Sequence, residues 1–189
     1  EVLAQQIPVW VGEQDTWAVC QSCRVSPADV GVVADGDGLD CGAPEGELRH
    51  VVVVSAPGHT PGSCCLLVPG ETSPGSTGST SAKPSQSKSV VTAPWGLLLS
   101  GDTLFVDICG STDAPESDPQ ALLDTLGRLS SGLSDDCVVL PGHNYASVSY
   151  TTIRREKQQN EMVQLGLQQA VEPPPVPFVC RCGRPRTAA

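Results

Sequence analysis

The chain has 189 residues, enough for one domain with a sizeable core, of which 39% are apolar and only 4% aromatic. A formal net charge of −10 and a pI near 4.5 argue against binding to nucleic acid or a membrane surface through a basic patch. No apolar run approaches the roughly 20 residues that span a bilayer.

Glu1-Val2-Leu3-Ala4-Gln5-Gln6 lacks the basic flank and apolar core of a signal peptide. Without an initiating Met, the chain reads as processed or as a piece of something longer. Nine cysteines form an odd set, and several sit inside apolar runs: Cys64 and Cys65 in CCLLV, and Cys137 in CVVL. Free cysteine packs as a small hydrophobe, so a reducing intracellular compartment, cytoplasmic or organellar and not secreted, is the expected location.

In chain order, Ile7 to Val11 reads as a short strand and Asp15 to Cys23 as one or two helical turns. Val32-Val33-Ala34, Asp35-Gly36-Asp37-Gly38 and Leu39 read as a strand, a tight turn and a return. The Asp-Gly pairs supply the positive φ such turns need. Arg49 to Ser55 holds four consecutive valines, the mark of a strand buried on both faces. From Gly70 to Lys88 there is no large apolar residue, and 71–89 is expected to be a flexible insertion between two strands. Strand pattern resumes at Val90-Val91 and strengthens from Trp95 to Leu99.

Asp118-Pro119 opens the clearest helix, with Asp as a cap and Pro at the first helical position. Leu122, Leu123, Leu126 and Leu129 then share one face. Val138 to Leu140 is another strand, and Thr151 to Gln169 a second, mostly polar helix. Pro173-Pro174-Pro175 ends any helix, leaving 170–189 as a Pro-rich tail beyond a single domain over 1–169. Alternating strands and helices favour a layered α/β sandwich.

Three phrases carry chemistry: Pro57-Gly58-His59-Thr60-Pro61-Gly62-Ser63, Ser100-Gly101-Asp102-Thr103-Leu104-Phe105 and Leu140-Pro141-Gly142-His143-Asn144-Tyr145. Each follows an apolar strand, breaks at Gly or Pro and presents one metal-competent side chain. His59 and His143 offer imidazole nitrogens, and Asp102 a carboxylate that can bind one ion or bridge two. Such an ion would activate water and polarise a carbonyl, the chemistry of a metallohydrolase. Taken singly, a loop histidine is an ordinary surface residue and a Gly-Asp pair an ordinary turn; the conjunction is what is specific. Elsewhere, Cys20-x-x-Cys23 with Cys180-x-Cys182 reads as ordinary cysteines rather than a zinc clip. Arg154, Arg155 and Lys157 read as a solvated helix face, Asp113 as a turn residue or one that orients a ligand, and His50 as a strand-edge residue.

Together the phrases resemble the metallo-β-lactamase-fold superfamily, and within it the glyoxalase II-like (hydroxyacylglutathione hydrolase-like) branch. APGHTPGS, SGDTLF and PGHNY match that superfamily's third, fourth and fifth metal motifs, and the resemblance runs from about Val32 to about Asn160. It implies a four-layer αββα sandwich with a site for two Zn ions: His59 on the first, Asp102 bridging both, His143 on the second. Tyr145 would help hold the glutathione part of a small-molecule thioester, which metal-bound hydroxide would cleave. No protein side chain is implied as catalytic acid, base or nucleophile. The first motif, His-x-His-x-Asp-His, is absent and would precede Glu1. The implied chain is therefore the C-terminal part of the fold, short of part of its site and inactive alone.

Ser111, in Cys109-Gly110-Ser111, stands where that branch carries a cation for a substrate carboxylate. Two other readings fit the same motifs. One is a mononuclear iron persulfide dioxygenase-like enzyme, which the run from Asn144 to Asn160, with Thr152-Ile153-Arg154-Arg155-Glu156-Lys157, also resembles. The other is a non-catalytic, degenerate or truncated homologue.

Overall fold

A computed structural model describes residues 8–40, 50–70, 96–169 and 186–187. The expected insertion at 71–89, Val90, Val91, Trp95 and Cys180-x-Cys182 lie outside the described residues. Strand β1 (Val9–Gly12) leads through a 3₁₀ turn (Glu13–Asp15) into helix α1 (Thr16–Cys23), which ends at Arg24 in the left-handed conformation. Strand β2 (Val30–Val33) then pairs parallel with β1. On its other side, β2 pairs with two residues of the tail, β9 (Arg186–Thr187).

The larger sheet has six strands in spatial order β3 (Gly38–Asp40), β4 (His50–Ser55), β5 (Cys64–Pro69), β6 (Gly96–Gly101), β7 (Val138–Pro141) and β8 (Thr151–Thr152). All its neighbours are antiparallel except β6 and β7. Helix α2 (Pro119–Gly132) makes the crossover between that parallel pair. Its start is as expected, with the Asp118 carboxylate accepting from the N–H groups of Gln120 and Ala121. The helices α3 (Ile153–Gln159) and α4 (Glu161–Gln169) follow β8 in the chain.

Register sorts the strand side chains into two faces. Val52, Val54, Cys65, Leu67, Leu98 and Val139 form one, buried against Leu122, Leu126 and Leu129 of α2 and Val163 of α4. Each of those large side chains contributes roughly 1.5–3 kcal/mol by leaving water. Burial pushes the Cys65 thiol up to about 12 and Cys137 up to about 11, so both pack as small hydrophobes.

Across the opposite face, Val53, Leu66, Leu99 and Leu140 lie side by side on β4 to β7. Val53 is covered, and Gly12 and Val33 of the small sheet line one cavity with it. Leu99 and Leu140 are 41% and 38% exposed. The small sheet thus shields this face at β4 but not at β6 and β7.

Two expectations need correction. Residues 32–39 are not a strand and its return in one hairpin, because β2 and β3 belong to different sheets. The turn between them holds Gly36 at φ 85° and lets Asp37 accept the N–H of Ala34. Gly36 N–H and Asp37 C=O both bond to Val53, so the turn is stitched to β4 and carries the chain from one sheet to the other. Nor is Thr151 to Gln169 one helix. Thr151 and Thr152 extend the sheet, Thr152 caps α3, and the helical run breaks at Asn160. The Asn160 N–H still closes α3 on the Glu156 carbonyl, while its side-chain oxygen accepts from the N–H groups of Met162 and Val163 and starts α4.

Candidate metal centre

Strand directions bring the three phrases together. With β5 antiparallel to both β4 and β6, and β6 parallel to β7, the C-terminal ends of β4, β6 and β7 share one end of the sheet. His59, Asp102 and His143 each follow one of those ends. The Asp102 carboxylate stands between the two rings, Oδ2 3.8 Å from His59 Nε2 and Oδ1 3.5 Å from His143 Nε2.

The His59 loop is held from two sides. At its base, Ala56 N–H bonds the Ser63 carbonyl. From α2 and its lead-in, Asp118 N–H donates to the Gly58 carbonyl at 2.8 Å, Thr125 Oγ1 to the Pro57 carbonyl at 2.8 Å and Ser117 Oγ to the His59 carbonyl at 2.7 Å. From the other direction, Asp15 accepts from Thr60 Oγ1 at 2.5 Å and from Gly62 N–H at 2.9 Å. Gly58 sits at φ 140°, and a Cβ there would lie 2.5 Å from the Leu122 backbone; only glycine allows this approach.

His59 Nδ1 lies 2.7 Å from the Ser111 carbonyl oxygen. A carbonyl only accepts, so in the neutral ring Nδ1 carries the proton and Nε2 directs its lone pair towards Asp102. Ser111 is held in turn, its hydroxyl donating to Asp113 Oδ2 at 2.7 Å and accepting from Asp113 N–H at 3.1 Å. Asp113 therefore acts one step behind the carbonyl that orients His59.

On the other flank, Gly142 N–H donates to the Gly101 carbonyl at 2.9 Å, tying the end of β6 to that of β7. A Cβ on Gly142 would stand 2.8 Å from Asp102 Oδ1. The amide nitrogen of Asn144, oriented towards its two acceptors, donates to the Ala146 and Val148 carbonyls and fixes the following loop. Tyr145 stacks on His143 with ring centroids 5.3 Å apart and meets Phe105 edge-on at 5.1 Å. The structure thus gathers His59, Asp102, His143 and Tyr145 at one sheet end. It adds Asp15 and Ser117, which no sequence pattern marks, and gives Phe105 and Ser111 contacts with Tyr145 and His59 that their motifs do not announce.

The donors test what the centre could hold. Two donors each about 2.1 Å from a common ion stand roughly 3.4 Å apart at the tetrahedral angle. Both imidazole–carboxylate separations are near that spacing, so each pair offers two donors to one ion, with Asp102 shared. Among the described residues, no group of three or more His, Cys, Asp or Glu side chains is arranged to hold an ion by itself. In chemistry the set fits a metal; in number it falls short of a closed coordination sphere.

The basic cluster is matched by acids. Arg155 makes a two-pronged pair with Asp107, at 3.0 and 2.7 Å, while Arg154 and Lys157 meet Asp135 and Asp136. Arg155 holds the Asp107 carboxyl below the usual carboxylate range, chiefly through its hydrogen bonds. No helix among the described residues is long and apolar enough to cross a membrane.

No protein-family model matches the chain. Among curated proteins, it is 26% identical over 156 residues to the mitochondrial persulfide dioxygenase ETHE1 of Homo sapiens, covering 81% of this chain and 50% of that protein. It is 36% identical over 64 residues to the hydroxyacylglutathione hydrolase GloC of Haemophilus influenzae, covering 34% and 28%. The chain spans half or less of the length of the curated relatives it matches. Among solved structures, it resembles the protein TTHA1623 in a di-iron-bound form, with a TM-score of 0.53 and 24% identity over 85% of this chain and 67% of that one. It also resembles a metallo-β-lactamase from Staphylococcus aureus, with a TM-score of 0.51 and 20% identity over 83% and 48%. The sheet order, the helices and these likenesses together give the chain the metallo-β-lactamase fold.

Proposed function

We propose that this chain is the C-terminal part of a persulfide dioxygenase-like metalloenzyme that acts on a small-molecule persulfide and uses iron. The observation that carries this reading is the extent of the likeness: 156 residues, or 81% of the chain, align with the human persulfide dioxygenase. The same named enzyme from Bos taurus and Mus musculus aligns over 74% and 81% of the chain. The donor types agree, since imidazole and carboxylate ligands such as His59 and Asp102 suit non-haem Fe(II), which supplies open positions for oxygen chemistry when bound.

In this reading the chain's own residues prepare the site. His59 and Asp102 offer Nε2 and Oδ2 to the ion, and the Ser111 carbonyl keeps the His59 proton on Nδ1, away from it. His143 stands at the other carboxylate oxygen. Tyr145, 66% exposed, and the buried Phe105 form an aromatic wall on the His143 side where a substrate could rest. Ser111 brings no positive charge for a substrate carboxylate.

A second reading, a glyoxalase II-like hydrolase with two zinc ions, is favoured by Asp102 itself, whose two oxygens face two different imidazoles as a bridging carboxylate would. The identity to the hydroxyacylglutathione hydrolase, though short, is also higher. The test uses the complete protein that carries this chain, with a low-molecular-weight persulfide and a glutathione thioester as alternative substrates. Oxygen uptake with the persulfide, falling at least 100-fold in Asp102→Ala, is expected. Thioester hydrolysis without oxygen uptake would overturn the dioxygenase in favour of the hydrolase.

A further inference from the structure

We infer that Glu156, more than fifty residues along the chain from both Asp102 and His59, is a positioning residue for the centre, acting through the hairpin 102–111. This rests on reading His59, Asp102 and His143 as metal donors. The hairpin is closed by the facing pair Leu104 and Cys109, by Phe105 N–H to the Ile108 carbonyl at 3.0 Å and by Gly110 N–H to the Thr103 carbonyl at 3.3 Å. One end of it is Asp102. The other is Ser111, whose carbonyl accepts the hydrogen bond from His59 Nδ1–H. Between them, Phe105 packs on both His143 and Tyr145. All three donors therefore depend on this one hairpin.

Its tip is not self-supporting. Asp107 has φ 64°, a left-handed state that costs free energy for a residue with a Cβ and persists only when surroundings hold it. Those surroundings come from the start of α3. The Glu156 carboxylate, 0% exposed, accepts from Asp107 N–H at 3.0 Å, Asn160 Nδ2 at 2.8 Å and Thr151 Oγ1 at 2.6 Å. Asn160 Nδ2 also donates to the Ile108 carbonyl at 3.1 Å, and Arg155 grips the Asp107 carboxylate from outside. Three donors thus converge on one buried carboxylate. Its consequence is a fixed hairpin tip, and from the tip fixed positions for Asp102 and the Ser111 carbonyl.

Hydrogen exchange by mass spectrometry on the full chain tests this, together with the His59 ring tautomer from nitrogen-15 NMR. Glu156→Ala is expected to raise exchange in the peptide covering 103–111 at least tenfold and to mix the His59 tautomers. Val52→Ala, in the core but on β4, serves as a control: at a matched loss of Tm it should leave both unchanged. Glu156→Gln should stay within threefold of the parent. Its amide oxygen can accept from Asp107 and Asn160, and its amide hydrogens can reach the Thr151 hydroxyl.

Should Glu156→Ala fail to fold, Arg155→Met decides, since that side chain is partly exposed and its loss should loosen the same peptide at least threefold. Equal loosening of 103–111 in Glu156→Ala and Val52→Ala, or no loosening in Arg155→Met, would overturn the proposal. Neither readout needs a metal, so a failure of the metal reading would appear separately, as a complete protein that binds none.

Discussion

Asp15 precedes helix α1, yet it holds the loop that presents His59. Asp15→Ala removes two acceptors at once, the one for Thr60 Oγ1 at 2.5 Å and the one for Gly62 N–H at 2.9 Å. Hydrogen bonds to a charged group contribute roughly 1.5–3 kcal/mol each when buried. These are only part-buried, so a joint loss of about 2–3 kcal/mol is expected. For a chain of 189 residues each kcal/mol lowers Tm by about 2–4 °C, giving a fall of about 4–12 °C. Asp15→Asn should cost under about 1 kcal/mol, because Asn keeps an oxygen for Gly62 and offers an amide N–H to the Thr60 hydroxyl. Urea and thermal denaturation of the three proteins measure this directly. An Asp15→Ala variant within about 0.5 kcal/mol of the parent would refute the reasoning, as would Asp15→Asn failing as badly as Asp15→Ala.

Three further outcomes follow from the same structure. Asp107 and Asp135 have carboxyls held below their ordinary range, by Arg155 and chiefly by Lys157 respectively. A depressed folded-state pKa adds stability that is present above the unfolded value, about 3.9, and lost as pH falls through the folded one. The urea midpoint should therefore drop below pH 4, and Arg155→Met should flatten that drop; an unchanged acid limb in the variant would contradict the assignment to Asp107. With burial holding Cys65 near 12 and Cys137 near 11, a thiol reagent at pH 8 should modify exposed Cys23 in the native chain. The two buried thiols should react only after unfolding, as read by peptide mass spectrometry. Gly58→Ala combines a φ of 140° with a Cβ 2.5 Å from the Leu122 backbone, so a loss of at least about 3 kcal/mol is expected; a neutral effect would mean the loop and α2 can part cheaply.

Features that depend on neighbours along the chain are legible in the amino-acid sequence. Val51 to Val54 followed by Pro57-Gly58-His59 signals a buried strand that ends in a turn with a donor on it. Asp118-Pro119 likewise announces a capped helix. The meeting of His59, Asp102 and His143 is legible only through the conjunction of three such endings. Features that depend on distant partners leave no trace. Asn160 breaks the helix because Glu156 and Ile108 hold its amide nitrogen while its oxygen caps the next turn, and no Gly or Pro marks the place. The Asp35-to-Gly38 turn looks like a hairpin in isolation; its bonds to Val53 are what send β3 to the other sheet. In the sequence Ser111 stands out for the charge it lacks, whereas its use is a backbone carbonyl, which every residue type provides.

The metal content of the complete protein that carries this chain, purified without added metal and measured by mass spectrometry, tests the proposed centre most directly. One iron per chain is predicted, lost in Asp102→Ala and in His59→Ala. Two zinc ions per chain would contradict the iron dioxygenase and favour the bridging role of Asp102 in a hydrolase. A metal-free protein would contradict both.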